Sequence, residues 1–208
     1  IIRGSGNGNL QMSINQSGDF QLFGGVEIQK GAYNFTTSFI NKEFEIRKGG
    51  TINWYGDPYS GILNLEASYR QLADLSNYYS EFESQPDIED APKQPVFVIL
   101  SLDGPMLNPT IDFRLEIDQS ISNQAWTRTI SSINSESNKE ELKRQVFSLL
   151  ILKKFSPRQS FTVSGLSSVG SSVSEFVSNQ LSYWINQVDE NLEVSIDLAS
   201  LDQDAFNT

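Results

Sequence analysis

Residues 49–72 read GGTINWYGDPYSGILNLEASYRQL, and this stretch decides the fold. A tight turn, Gly56-Asp57-Pro58, separates two segments that alternate apolar and polar side chains. One face carries Ile52 and Trp54, then Leu63, Leu65, Ala67 and Tyr69. The opposite face carries Asn53, then Asn64, Glu66, Ser68 and Arg70. Alternation with a period of two is the mark of a half-buried β-strand. Gly relaxes the backbone and Pro fixes φ, so Gly-Asp-Pro reads as a structural reversal between neighbouring strands. The apolar face needs a cover: a second sheet, a helix, or something from outside the chain.

Working outward, the first seventy residues read as strands in series. Leu10, Met12 and Ile14 alternate with polar residues, and Ser17–Asp19 turns the chain. Phe20 and Leu22 open the next strand, Gly24-Gly25 suggests a bulge, and Lys30–Ala32 suggests another turn. Tyr33 and Phe35, then Phe44 and Ile46, carry the apolar face onward. Residues 73–95 are acidic, hold three prolines and read as a long loop. Val96–Leu102 is apolar on both faces and reads as a central strand. Ile111, Phe113, Leu115 and Ile117 then alternate cleanly with polar neighbours.

After residue 120 the period changes. A weak helical pattern runs through Trp126, Ile130 and Ile133, and a stronger one through residues 137–157, where Ser137 and Glu140 have capping-box spacing. A Ser/Gly-rich connector leads to a third helical pattern through Phe176, Leu181, Trp184 and Ile185. The alternating residues Leu192, Val194, Ile196 and Leu198 predict a terminal strand. The expected organisation is a strand array over 1–120, with an acidic loop at about 73–95, and a helical segment with terminal strand over 121–208.

Composition narrows the function classes. The chain has 208 residues and a net charge of -11. That charge opposes nucleic-acid binding, which needs clustered Lys and Arg against phosphate. It equally opposes attachment to an anionic membrane by a basic patch. There is no Cys and no His. Disulfides, thiolate metal sites and a Ser-His-Asp triad cannot be built from this chain alone. No apolar run approaches the ~20 residues of a membrane-spanning helix.

Local chemical signals are weak. The DIED run at 87–90 lacks the Asp/Asn-Gly spacing of a calcium loop and reads as solvated. Glu43 and Glu45 share one side of a strand, with no partner carboxylate marked for a glycosidase cleft. Asn34-Phe35-Thr36 matches a glycosylation sequon, a pattern that chance often supplies. No G-x-S-x-G elbow occurs. Neither a metal, a cofactor nor an enzymatic activity is expected. The apolar stripes read either as an ordinary core or as the lining of a ligand groove.

The ordered motifs carry a resemblance. Gly31, Tyr33 and Phe35 form a G-x-Y-x-F segment. Phe44, Ile46 and Gly49 form an F-x-I-x-x-G step, and Gly50, Ile52, Trp54, Gly56, Asp57 and Pro58 a G-x-I-x-W-x-G-D-P step. Ala67 and Tyr69 end the next strand, and Leu102, Gly104, Leu107, Pro109 and Phe113 continue the series before SNQLSYW at 178–184. Together these resemble the carboxy-terminal domain of the TamB family (translocation and assembly module), a branch of the AsmA-like bridge proteins, in a variant similar to those of Bacteroidetes.

The resemblance implies a mainly β fold, a bent β-taco sheet with an apolar groove and amphipathic helices near its end. It implies a periplasmic position near the outer membrane of a Gram-negative bacterium, in a longer protein anchored in the inner membrane by an amino-terminal helix. A BamA- or TamA-like barrel is the implied partner. Phospholipid or nascent outer-membrane protein is the implied cargo, with no nucleic acid. On this reading Tyr33, Phe35, Phe44, Ile46, Ile52, Trp54, Leu63, Leu65, Tyr69, Ile111, Phe113 and Leu115 line the groove. Gly56, Asp57 and Pro58 shape the turn, and Phe176, Leu181, Trp184 and Ile185 face a plug or cap helix. The alternative is a periplasmic chaperone that binds unfolded outer-membrane proteins by strand addition, without lipid.

Overall fold

A computed structural model describes residues 2–36, 40–79 and 92–157. The strands are β1 (Ile2–Ile14), β2 (Phe20–Thr36), β3 (Asn41–Ile46), β4 (Thr51–Gly56), β5 (Ile62–Ala73), β6 (Gln94–Pro105) and β7 (Thr110–Ile117). They form one seven-stranded sheet in the order β1-β2-β3-β5-β6-β7, with β4 pairing β2 and β5. Two helices follow, α1 (Gln124–Ile133) and α2 (Lys139–Ile151), the second entered through a 3-10 turn at Glu136–Asn138. The predicted helix at 172–188, the terminal strand, and the DIED run lie outside the described residues.

Strand β2 organises the amino-terminal half. It is 17 residues long and pairs β1 along one edge. On its other edge its first part pairs β4 and its last part pairs β3. Two expectations are corrected here. Lys30–Ala32 does not turn the chain, because β2 runs on through it. The bulge is not at Gly24-Gly25: the register shifts between Ser5 and Gly6, where Lys30 and Ile28 are the successive partners and Gln29 is the extra residue. That extra residue restores Tyr33 and Phe35 to the apolar face after the intervening Gly31. Gly24 instead takes a positive φ of 113°, and a Cβ there would sit 2.0 Å from the Asn9 carbonyl oxygen.

The chain divides into two compact units. Of the described residues, one contains 2–36, 40–67 and 102–110, and the other contains 68–79, 92–101 and 111–157. In the second, α1 buries Ala125, Trp126, Thr129, Ile130 and Ile133 on one stripe. Asn123 caps it, its side-chain oxygen accepting from the Trp126 N–H. Trp126, Tyr78 and Phe155 form an aromatic centre, with Phe155 6.0 Å from Trp126 and 6.1 Å from Tyr78. The capping box expected from Ser137 and Glu140 does not form: Asn138 occupies the N-cap position of α2 without a side-chain bond. The preceding 3-10 turn shifts the helix start by one residue.

The end of α2 is held by a polar cluster. Arg144 is buried, donates to both carboxylate oxygens of Glu141 and also donates to the Pro157 carbonyl. Gln145 donates to the Ser156 carbonyl and accepts from the Ser156 N–H. Ser148 donates to the Lys154 carbonyl. Lys153 adopts φ 59°, the left-handed conformation that ends the helix and folds residues 154–157 back along it.

Candidate functional site

Strand register explains how the candidate apolar face of the first unit is assembled. Directly opposed residues share a face in an antiparallel ladder. Tyr33 opposes Phe44, Gly31 opposes Ile46, Val26 opposes Ile52, Gly24 opposes Trp54, and Ile52 opposes Leu63. Tyr33 and Phe44 thus meet ring to ring, Trp54 meets a glycine, and Phe35 stands opposite Lys42. The Phe35 ring stands 5.9 Å from Phe44 in an edge-to-face contact and 6.4 Å from Tyr33. Small residues make the room: a Cβ on Gly50 would meet Leu65 Cδ2 at 2.7 Å.

The face is withdrawn from solvent. Phe35 and Phe44 are 0% exposed, Leu63 and Leu65 1%. Tyr33, Ile46, Ile52 and Trp54 are also buried. Burial pushes the Tyr33 phenol up to about 12, because its charged form loses water. The alternate side chains of β5, Asn64 and Glu66, remain exposed or half-exposed. Arg47 pairs with Glu66 at 3.5 Å on that polar side.

The Gly56-Asp57-Pro58 turn is built as its residue types require. Gly56 has φ 138°. Asp57 Oδ1 accepts from the Tyr59 N–H at 2.9 Å and Oδ2 from the Ser60 hydroxyl at 2.8 Å. These bonds favour the carboxylate and hold the Asp57 carboxyl below its usual range. The Pro58 carbonyl accepts from Trp54 Nε1 at 2.9 Å, so the turn fixes the ring that lines the apolar face. Gly61 packs against the same indole, where a Cβ would stand 2.7 Å from Nε1.

The remaining candidates belong to the second unit. Tyr69, Ile111 and Phe113 are half-buried and Leu115 is buried. Ile111 and Phe113 line an open cleft with Leu142, Asn134 and the cations Lys139 and Lys143. Asn134, the C-cap residue of α1, reaches β7: its Oδ1 accepts from the Leu115 N–H at 2.9 Å and its Nδ2 donates to the Leu115 carbonyl at 2.8 Å. The side-chain amide thus pairs with β7 as a peptide would. Phe176, Leu181, Trp184 and Ile185 lie outside the described residues. Among the described residues no cluster of three or more Asp or Glu could hold a metal ion.

Two features escaped the sequence reading. Asn134 carries no signal that marks a strand-pairing amide. The exposed side chains Ile14, Phe20, Tyr55, Tyr59 and Leu107 gather at sheet turns. Two of them, Tyr55 and Tyr59, flank Gly-Asp-Pro closely enough to have drawn notice.

A mainly antiparallel sheet with a buried aromatic and aliphatic face, a Gly-Asp-Pro turn and two trailing helices defines a mainly β protein. The profile of the TamB C-terminal domain matches residues 1–208, and the chain belongs to that family. The family implies a periplasmic location near the outer membrane and a link to outer-membrane assembly. No curated protein matches the chain. No helix among the described residues is long and apolar enough to cross a membrane.

Proposed function

We propose that the apolar face of β2, β3, β4 and β5 receives the acyl chains of phospholipid in transit between the inner and outer membranes, and thereby serves outer-membrane assembly next to a BamA- or TamA-like barrel. The role is binding and guidance, without catalysis. One observation carries this reading: the face is continuous across four strands and lined by Tyr33, Phe35, Phe44, Ile52, Trp54 and Leu65, with the polar side chains of β5 on the other side.

Acyl chains need no directed partner. Each Å² of apolar surface removed from water favours association by about 25 cal/mol. Tyr33 and Trp54 present large apolar area, and the Trp54 N–H is already taken by Pro58. The groove, in this reading, opens when the cover that now buries the face moves aside, and the covered state keeps the empty protein soluble. A β-taco is the sheet shape this role calls for.

Mass spectrometry of gently extracted full-length protein tests the proposal. Phospholipid retained in defined ratio is the expected result. Extended outer-membrane protein segments without lipid would replace the conduit by a chaperone acting through strand addition.

A further inference from the structure

Strand β7 ends the sheet among the described residues. An edge strand presents a row of main-chain donors and acceptors that a further strand can join. Leu115 marks the direction of that row, because its N–H and its carbonyl both meet the Asn134 side chain. In an antiparallel ladder the two groups of one residue point to the same side, and alternate residues share that side. Phe113 and Ile117 therefore direct their main-chain groups the same way as Leu115. Asn134 holds the place that one peptide unit of a neighbouring strand would take.

Two clefts run along this edge, one on each side of Asn134, which lines both. The first, of about 290 Å3, lies between Ile111 and Phe113 of β7 and Lys139, Leu142 and Lys143 of α2. The second, of about 400 Å3, lies between Leu115 and Ile117 of β7 and Thr127, Ile130 and Ser131 of α1. The helices thus stand off from β7 on both sides of the point where Asn134 crosses the gap. A slot between an edge strand and a helix is a known setting for peptide recognition by strand addition, with main-chain bonds giving affinity and side-chain pockets giving selectivity.

Charge selects the partner. The chain has a net charge of -11. The first cleft nevertheless brings the cations Arg114, Lys139 and Lys143 together against the anions Asp112 and Glu136. Lys139 pairs with Glu136 at 2.9 Å, and both side chains are largely exposed, so the pair is weak and exchanges readily for another carboxylate. Ile111, Phe113 and Leu142 supply apolar wall beside these cations. An incoming strand that carries acidic residues among apolar ones matches both features.

We propose that the β7 edge receives an extended segment of a partner protein, apolar with acidic residues, which adds as a strand and displaces the Asn134 side chain. Asn134 acts as a latch. Turning its side chain away frees Leu115 and leaves the end of α1 intact, because the Asn134 N–H still donates to the Ile130 carbonyl. The closed latch shields the edge from unselected pairing. Every residue of the slot lies in the second unit, and its use does not depend on lipid reaching the buried face of the first.

The test titrates the whole chain with a capped, fluorescently labelled octapeptide that alternates Glu and Val, followed by anisotropy. The parent should bind it weakly. Asn134→Ala should bind it about thirtyfold tighter, because the peptide no longer displaces two hydrogen bonds. Asn134→Ser, too short to reach both Leu115 groups, should behave in the same way. Lys139→Glu should weaken binding several-fold and keep the circular dichroism of the parent. A Lys-Val octapeptide should not bind, nor should a Glu-Val octapeptide N-methylated along one edge, which cannot complete the ladder. In Asn134→Ala, hydrogen exchange at the Leu115 amide should slow when the peptide is added. Equal binding of the Lys-Val or the N-methylated peptide, no gain in either Asn134 variant, or Leu115 exchange unmoved by bound peptide would each overturn the proposal. Self-association of Asn134→Ala that excludes the peptide would overturn it in favour of pairing between copies of the chain.

Discussion

Replacing Asn134 by Ala removes a side chain that carries two hydrogen bonds to one residue of β7. Its amide bonds the Leu115 N–H at 2.9 Å and the Leu115 carbonyl at 2.8 Å, both of good length. A typical intramolecular hydrogen bond contributes roughly 1 kcal/mol net, and a buried group left unpaired costs more. Asn134 is half-buried beside the buried Leu115, so water reaches the vacated groups in part. The expected loss is therefore about 2 kcal/mol. The helix cap itself survives, because the Asn134 backbone N–H still donates to the Ile130 carbonyl. Asn134→Asp refines the test. A carboxylate still accepts from Leu115 but cannot donate to its carbonyl, and it repels that oxygen. Protonation restores a donor, so this variant should approach the parent as pH falls through the carboxylate range. Urea unfolding gives the free energies, and hydrogen exchange at the Leu115 amide localises them. A change within ~0.5 kcal/mol for Asn134→Ala, with Leu115 exchange unaltered, would refute the bridging role.

Further expectations concern the apolar face and the end of α2. Tyr33 has its phenol raised from 10.0 to about 12 in the folded chain. Its protonated form is therefore the one that folding favours, and the stability it contributes is whole below pH 10 and lost as pH climbs from 10 to 12; the loss amounts to roughly 3 kcal/mol and should be absent in Tyr33→Phe when alkaline unfolding is compared. Gly61→Ala places a methyl 2.7 Å from Trp54 Nε1, which should break the bond to Pro58, cost about 1–3 kcal/mol and change the Trp54 emission. Arg144→Ala leaves Glu141 without its guanidinium partner and frees the Pro157 carbonyl, so thermal unfolding should report about 3–5 kcal/mol of lost stability.

Much of the strand array was legible because burial on one side imposes a period of two. Residues 49–72 identified β4, the turn and most of β5, and Ile111–Ile117 identified β7. The turn at Lys30–Ala32 was misread because local Gly chemistry was weighed without the partner strand. In the folded sheet β1 and β3 hold that segment extended, and tertiary pairing overrides the local signal. The bulge was misplaced for a related reason: a bulge is a property of two strands, and the register mismatch opposite Ser5 and Gly6 leaves no mark in one. The apolar candidates Tyr33 through Leu65 were legible as one face. Their burial was not, since alternation tells which side is apolar and not what lies against it. Asn134 was invisible because its role depends on α1 ending beside Leu115, a distance of 19 residues along the chain. The exposure of Tyr55 and Tyr59 left no mark in the alternating pattern, which reports only the buried side of a strand.

The account stands or falls on which face of β5 meets lipid in the cell. A photo-crosslinking residue placed at Leu65, on the buried apolar side, or at Glu66, on the polar side, separates the two with no added charge. Phospholipid captured from position 65 and not from 66 is the predicted result. Equal capture from both positions, or outer-membrane protein captured at 65 with no lipid, would contradict it.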